Sequence, residues 1–280
     1  MLWQPSLVAE ARNSLLDLLD LAPGERADSF VGKTPSDGPS RLFGGQVASQ
    51  TLRAAVLTVD PSRPPHSMHA YFVRPGSPGV PLDLDVVRVR DGRSFSVRQV
   101  TASQAGDPIF VLYASFHGGE AGDDWHLPAP LDVPSPDDTG ESASPLSRFS
   151  TMSPLEMRPV RRGSTFPVMH PFWVRTRDRL PDDPVLHMCV LAFMSDMGVV
   201  GSARAPSSTA VAFAGASLDH AVWFHRPARA DEWLLFSVDP VSNAGARGLA
   251  RGTFHTADGV LVASIAQEAL LRPTATVPLP

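Results

Sequence analysis

The chain is short of cysteine, of net positive charge and of long uninterrupted apolar runs, and each shortage excludes a class of function. A single cysteine, Cys189, among 280 residues rules out an internal disulfide framework and a thiolate metal cluster. It lies inside an apolar segment, where a thiol is more often a small core residue than a nucleophile. The formal net charge of −5 gives no basic field for nucleic acid, so an anionic ligand needs a local positive patch. No run reaches the roughly 18 consecutive apolar residues of a membrane span, because even the most apolar segment is broken by His187, Ser195 and Asp196. The N-terminus, MLWQPSLVAEARN, lacks the basic start and apolar core of a secretory signal, so a cytoplasmic protein is expected. There is no G-x-S-x-G nucleophile elbow, and no His or acidic pair at ligand spacing is backed by a third ligand. Neither an α/β-hydrolase nor a metal-dependent hydrolase is expected, and no cofactor.

What is present is a globular composition, 43% hydrophobic and 19% charged, on a chain long enough for two modest domains or one large one. The organising stretch is residues 184–202, PVLHMCVLAFMSDMGVVGS, an apolar run with a proline at its front, glycines near its end and one carboxylate, Asp196, within it. Burying an ionised carboxylate without partners costs several kcal/mol or more, so Asp196 needs hydrogen-bond donors, a shifted pKa or a chemical task. The run reads as a buried helix carrying a catalytic group; a helix whose aspartate merely caps a turn or faces a solvent channel fits the spacing as well.

Upstream, VAEARNSLLDLLDL at 8–21 has the leucine spacing of a helix and stops at Pro23-Gly24. A second helix is expected within RLFGGQVASQTLRAAVLTV at 41–59, opened by Gly44-Gly45 and rich in small residues that allow close packing. Strand-like segments follow at 67–75, 81–89, 93–103 and 108–117, with clear alternation in LDLDVVRV and SFSVRQV. Their turn signals, Pro75-Gly76, Asp91-Gly92 and Gly106-Asp107, suit antiparallel connections. Residues 119–147 are crowded with proline, glycine and acids and form a linker or crossing loop. Beyond it come strand-like pieces near 156–161 and 170–177, the 184–202 run, and further strands at 218–227, 232–240, 246–257 and 260–271. YFVRP at 71–75 matches WFHRP at 223–227 at an offset of 152, and the turn glycines Gly106 and Gly259 differ by 153. A shared offset across several features indicates an internal duplication. Helix on antiparallel sheet, twice over, is an α+β architecture.

The blocks RLFGGQVASQ, HSMHAYFVRPG, RDGRSFSVRQV, SDMG, LDHAVWFHRP, EWLLFSV and DGVLVASIAQE resemble, in order and spacing, those of the acyl-CoA thioesterase II family. The resemblance runs from about Leu15 to Arg272 and implies a double hotdog, in which each half wraps a curved antiparallel sheet around a central helix. It implies an N-terminal hotdog over 1–118, the linker over 119–147, and a C-terminal hotdog over 148–280 that carries the catalytic residues. It also implies hydrolysis of fatty acyl-CoA to free acid and coenzyme A by an activated water. Carried over position by position, it assigns water activation to Asp196, Ser217 and Gln267. Many members have threonine at the position of Ser217, and either hydroxyl can serve. A homo-oligomer of double-hotdog protomers is a further implication.

Phe193, Met194 and Met197 are candidate walls of an acyl tunnel, with ordinary core packing equally consistent. His69 and Gly45 are candidate substrate contacts, the latter because Gly44-Gly45-Gln46 at a helix entry could meet an anion or a carbonyl oxygen. His66 reads as structural. Asp219 and His220 are adjacent in a strand and point to opposite faces, although Asp219 could share a face with Ser217. Arg161-Arg162 and Arg175 with Arg177 are candidate coenzyme A contacts, and Arg74 and Arg226 are candidate structural strand-end arginines. Two rival functions remain: a hotdog enoyl-CoA hydratase, which wants D-x-x-x-x-H where this chain has Gly201 five residues after Asp196, and a non-catalytic acyl-CoA-binding protein.

Overall fold

In a computed structural model the described residues are 14–37, 40–129, 133–139, 152, 154–160, 170–204 and 213–274. A short helix α1 (Ser14–Leu19) precedes two short strands, β1 (Ala22–Pro23) and β2 (Ser29–Gly32). Helix α2 (Gly44–Val56) leads into β3 (Pro65–Phe72), β4 (Leu82–Asp91), β5 (Phe95–Gln104) and β6 (Asp107–His117). The second half contains β7 (Leu155–Pro159), β8 (Phe172–Thr176), α3 (Pro184–Met194), α4 (Val199–Ser202), β9 (Phe213–Ser217), β10 (Asp219–Phe224), β11 (Leu234–Ala244), β12 (Arg247–Thr256) and β13 (Leu261–Pro273).

Among the described residues all the strands belong to one antiparallel sheet of 13, in the order β1-β2-β4-β5-β6-β3-β10-β13-β12-β11-β8-β7, with β9 paired to β13. The order β4-β5-β6-β3 is answered by its mirror, β10-β13-β12-β11, so the duplication is an approximate two-fold about the β3–β10 pair. That pair is in register at Met68↔Val222 and His69↔Ala221. The tight hairpins occur where positive φ is available, at Ala105-Gly106 between β5 and β6 and at Gly245-Ala246 between β11 and β12. Alternation along each strand sends one face to the two helices, as in β5, where Ser96, Arg98, Val100, Ala102 and Gln104 are buried. Each half is thus a curved sheet over one helix, and α2 and α3 pack on each other. This is the double hotdog that the resemblance implied.

The apolar run departs from expectation in one respect. It is not one helix across 184–202: α3 ends at Met194, and a turn of residues 195–198 separates it from α4. Gly198 adopts a left-handed backbone at φ 74°, which breaks the helix although the apolar pattern continues past it. Asp196 is therefore in the turn and not inside a helix. The front of α3 is as the sequence suggests, with Pro184 in the first turn and Asp183 Oδ1 accepting from Val185 N at 3.0 Å and Leu186 N at 3.3 Å. Two further elements were not expected, the β1–β2 hairpin and β9. Residues 8–13 of the expected first helix, and 161 at the end of the strand expected near 156–161, lie outside the described residues.

The connection between the halves crosses the second half's sheet, where Leu127 O lies 3.2 Å from His255 Nε2 and Pro134 O accepts from Trp173 Nε1 at 2.9 Å. Among the described residues no helix is long and apolar enough to cross a membrane. Leu52 is fully buried on the core face of α2, whereas Val87 is 54% exposed on the outer sheet face. Leu52→Ala is expected to cost about 2–5 kcal/mol in urea unfolding, and Val87→Ala to change stability by less than about 0.5 kcal/mol. Similar losses at the two positions would contradict this assignment of core and surface.

Candidate active site

Three elements from the second half and one from the first meet at Asp196. The turn after α3 presents its carboxylate, β9 ends in Ser217, β13 carries Gln267 on its inner face, and the first turn of α2 contributes a backbone N–H. Gly45 N donates to Asp196 Oδ2 at 3.0 Å. Ser217 Oγ donates to Asp196 Oδ1 at 3.4 Å and accepts from Gln267 Nε2 at 2.9 Å. The three residues named from the resemblance are thus brought together. Gly45 joins them as a support of the aspartate.

The approach is close enough to require glycine at both positions before Gln46. A Cβ on Gly44 would lie 2.6 Å from Asp196 Oδ2, and one on Gly45 would lie 2.2 Å from Phe193 O. Asp196 also sits at the positive end of the 13-residue α2, which favours its ionised form. Burial acts the other way and more strongly. It pushes the carboxyl up from 3.8 to about 7, against hydrogen bonds from Gln267, Gly45 and Ser217 that pull it down. The result is a carboxylate that changes charge near neutral pH, which suits a general base.

Behind this cluster, His220 Nε2 lies 2.7 Å from Ser195 Oγ, tying the turn that holds Asp196 to β10. Burial pushes this ring down to about 4, so it is neutral at physiological pH, while the Gln267 amide beside it pulls the other way. Neither His220 Nδ1 nor Gln267 Oε1 has a partner of hydrogen-bond geometry among the described residues. Sequence reasoning put His220 and Asp219 on opposite faces, which holds, but did not foresee the Ser195 contact. That pairing joins residues 25 apart, and no spacing announces it. Asp219 does not join the site; its Oδ1 accepts from Glu268 N at 2.7 Å.

A cavity of about 350 Å³ opens beside Ser217, walled by Gly44, Val47, Phe72, Phe110 and Val200. The expected wall residues are elsewhere. Phe193 is buried with its ring centroid 5.0 Å from that of Phe43, Met194 is fully buried in the core, and Met197 is buried with its carbonyl 2.7 Å from His170 Nε2. Their side chains follow the helix into the core, whereas the cavity lies between α2 and the ends of β3, β6 and β9. His69 also stands apart, exposed on the outer sheet face with its ring 5.1 Å from Trp223. His66 is structural in its contacts, bonded to Ser115 Oγ at 2.7 Å. Arg175 is engaged by Glu156 and lies over the Trp233 ring at 4.3 Å. Arg161 and Arg162 lie outside the described residues.

The raised carboxyl has a consequence for stability. Between about 4 and about 7 the native state keeps a proton that the unfolded chain has lost, so this group lowers stability as pH rises through that window. Asp196→Asn is therefore expected to raise the melting temperature by several degrees at about pH 8, with the advantage fading by about pH 4. Melting curves that coincide at pH 8 would show that Asp196 is not a strained, desolvated acid.

Two family models match the chain: "Acyl-CoA thioesterase" over residues 142–270 and "Acyl-CoA thioesterase N-terminal domain" over residues 34–117. The human acyl-coenzyme A thioesterase 8 is 36% identical, across 91% of this chain and 88% of its own length. Acyl-CoA thioesterase 2 of Haemophilus influenzae is 33% identical, across 95% of this chain and 99% of its own. Among solved structures, the acyl-CoA thioesterase II TesB2 from Mycobacterium marinum superposes with a TM-score of 0.80 at 39% identity, covering 93% of this chain and 99% of that one. With both halves matched and the likeness running nearly end to end, the chain belongs to the acyl-CoA thioesterase II family.

Proposed function

We propose that the chain hydrolyses fatty acyl-CoA to free fatty acid and coenzyme A, with Asp196 activating the attacking water. The observation that carries this is the buried Asp196 carboxylate, held by Gly45, Ser217 and Gln267 directly behind Ser217 and Gly44, two residues that line an apolar cavity; burial pushes its carboxyl up to about 7. A thioester is already an activated acyl group, so the protein has to position a water, accept its proton and stabilise the oxyanion. Water adds to the carbonyl carbon while Asp196 takes its proton. Collapse of the tetrahedral species breaks the C–S bond, and that proton passes to the departing thiolate, leaving free acid and coenzyme A. Ser217 and Gln267 orient the carboxylate and the water. The N-terminal turn of α2, with Gly44 at the cavity wall, offers the positive end of a helix dipole to the developing oxyanion.

The same reading divides the chain into an N-terminal hotdog over 1–118, a connection over 119–147 and a C-terminal hotdog over 148–280, supported by the mirrored strand order about β3–β10. It gives both halves a part in the chemistry. A cytoplasmic location belongs to this proposal, as does assembly into homo-oligomers, for which exposed Tyr71, Tyr113 and Trp223 on the outer sheet face are available. The hydratase alternative is disfavoured by the placement of His220, whose ring is bonded to Ser195 behind Asp196.

The test is release of free coenzyme A, followed with a thiol reagent, across saturated acyl-CoA substrates of increasing length. The parent is expected to turn over some of them, Asp196→Asn to fall by about a hundredfold or more, and Ser217→Thr to retain most activity because the hydroxyl is kept. A parent that releases no thiol from any substrate, or an Asp196→Asn variant as fast as the parent, would overturn the reading.

A further inference from the structure

The two halves carry an arginine at the same place, two residues beyond β3 and β10, as Arg74-Pro75 and Arg226-Pro227. Each makes the same backbone contact. Arg74 Nη1 donates to Pro108 O at 2.8 Å, and Arg226 Nη1 donates to Leu261 O at 2.9 Å, two carbonyls that are themselves related by the repeat. The structural role is therefore duplicated, and the remainder of each guanidinium is not. Arg226 Nη2 is paired with Asp124 and also donates to Trp125 O at 3.3 Å, so the connection between the halves neutralises and covers it.

Arg74 has no carboxylate partner among the described residues and stands exposed at the rim of the cavity that Ser217 and Gly44 line. Arg41, also exposed and likewise without a carboxylate partner among the described residues, lines the same rim. On a chain of net charge −5, two uncompensated guanidinium groups at the mouth of a mainly apolar cavity form a local positive site. The bond to Pro108 O also holds Arg74 ready to present its remaining donors outward, which lowers the entropy lost on binding.

We infer that Arg74 and Arg41 bind the phosphate groups of coenzyme A, placing the thioester at the inner end of the cavity near Ser217 and Asp196. The inference rests on the acyl-CoA reading above and gives it a residue-level binding site. Guanidinium forks match phosphate oxygens in geometry and charge. Arg226, held identically but sealed by Asp124, is the internal control.

The experiment compares one acyl group on two carriers, coenzyme A and N-acetylcysteamine, the second a thioester without phosphates. The double variant Arg41→Gln, Arg74→Gln is expected to raise KM for the acyl-CoA by about tenfold or more. Its kcat should stay within about twofold of the parent and its kinetics on the N-acetylcysteamine thioester should not change. Arg226→Gln should leave both substrates as they are, and unchanged circular dichroism should accompany every variant. An acyl-CoA KM that does not rise, or that rises equally for both carriers, would overturn the assignment while leaving the thioesterase reading intact. If the parent turns over neither thioester, the thioesterase reading fails, and calorimetric titration with free coenzyme A and with pantetheine decides the arginine site. Coenzyme A binding weakened selectively in the double variant would uphold it, and equal binding to parent and variant would defeat it.

Discussion

The contact on which the rest depends is the hydrogen bond from Gly45 N, at the start of one half's helix, to Asp196 Oδ2, in the turn after the other half's helix. It joins the duplicated units through a buried carboxylate. It also explains local features that would otherwise look incidental. Two glycines stand together because any Cβ would strike either the carboxylate or Phe193 O. α3 stops at Met194, and the turn that closes at Gly198 carries the carboxylate to the α2 terminus. The donors pull the acid down while burial pushes it up, and the balance leaves it near neutral pH.

Duplication set the frame, and the two halves have diverged at the candidate site. The repeat offset that relates Gly106 to Gly259 puts Ala114 where the second half has Gln267, so the first half lacks the amide that reaches Ser217. The arginines diverged in the other direction. Arg226 acquired Asp124 from the connection, whereas Arg74 remains uncovered beside the cavity. A candidate site at the junction of two similar halves is what a duplicated fold permits once one copy of each feature is sufficient.

Much of the fold was legible in the sequence, for identifiable reasons. β4 and β5 have one wet and one buried face, so alternation alone announces them, and paired turn residues mark their ends. β9 was missed because FAGAS consists of small residues and one aromatic with no clear polar–apolar alternation. The break in the 184–202 run was missed because Met197, Val199 and Val200 keep the apolar pattern going while the backbone turns at Gly198. The candidate cluster was named through family resemblance and not through spacing, since Asp196, Ser217 and Gln267 come from three elements up to 71 residues apart. The cavity walls were out of reach, because Val47, Phe72, Phe110 and Val200 become neighbours only when the sheet curves around both helices. Phe193 and Met197, candidate walls as part of the apolar 184–202 run, are instead buried in the core.

In the proposed mechanism the buried Asp196 carboxylate, poised near neutral pH, is the base for water attack. The pH dependence of kcat/KM on an acyl-CoA substrate tests it directly, because that quantity reports the ionisation of the unliganded site. With Asp196 as the base, activity is expected to be low on the acid side, to rise through a single ionisation near 7 and to level off above it. A profile flat from about pH 5 to 9, or one that falls as the carboxylate ionises, would contradict the assignment of Asp196 as the base.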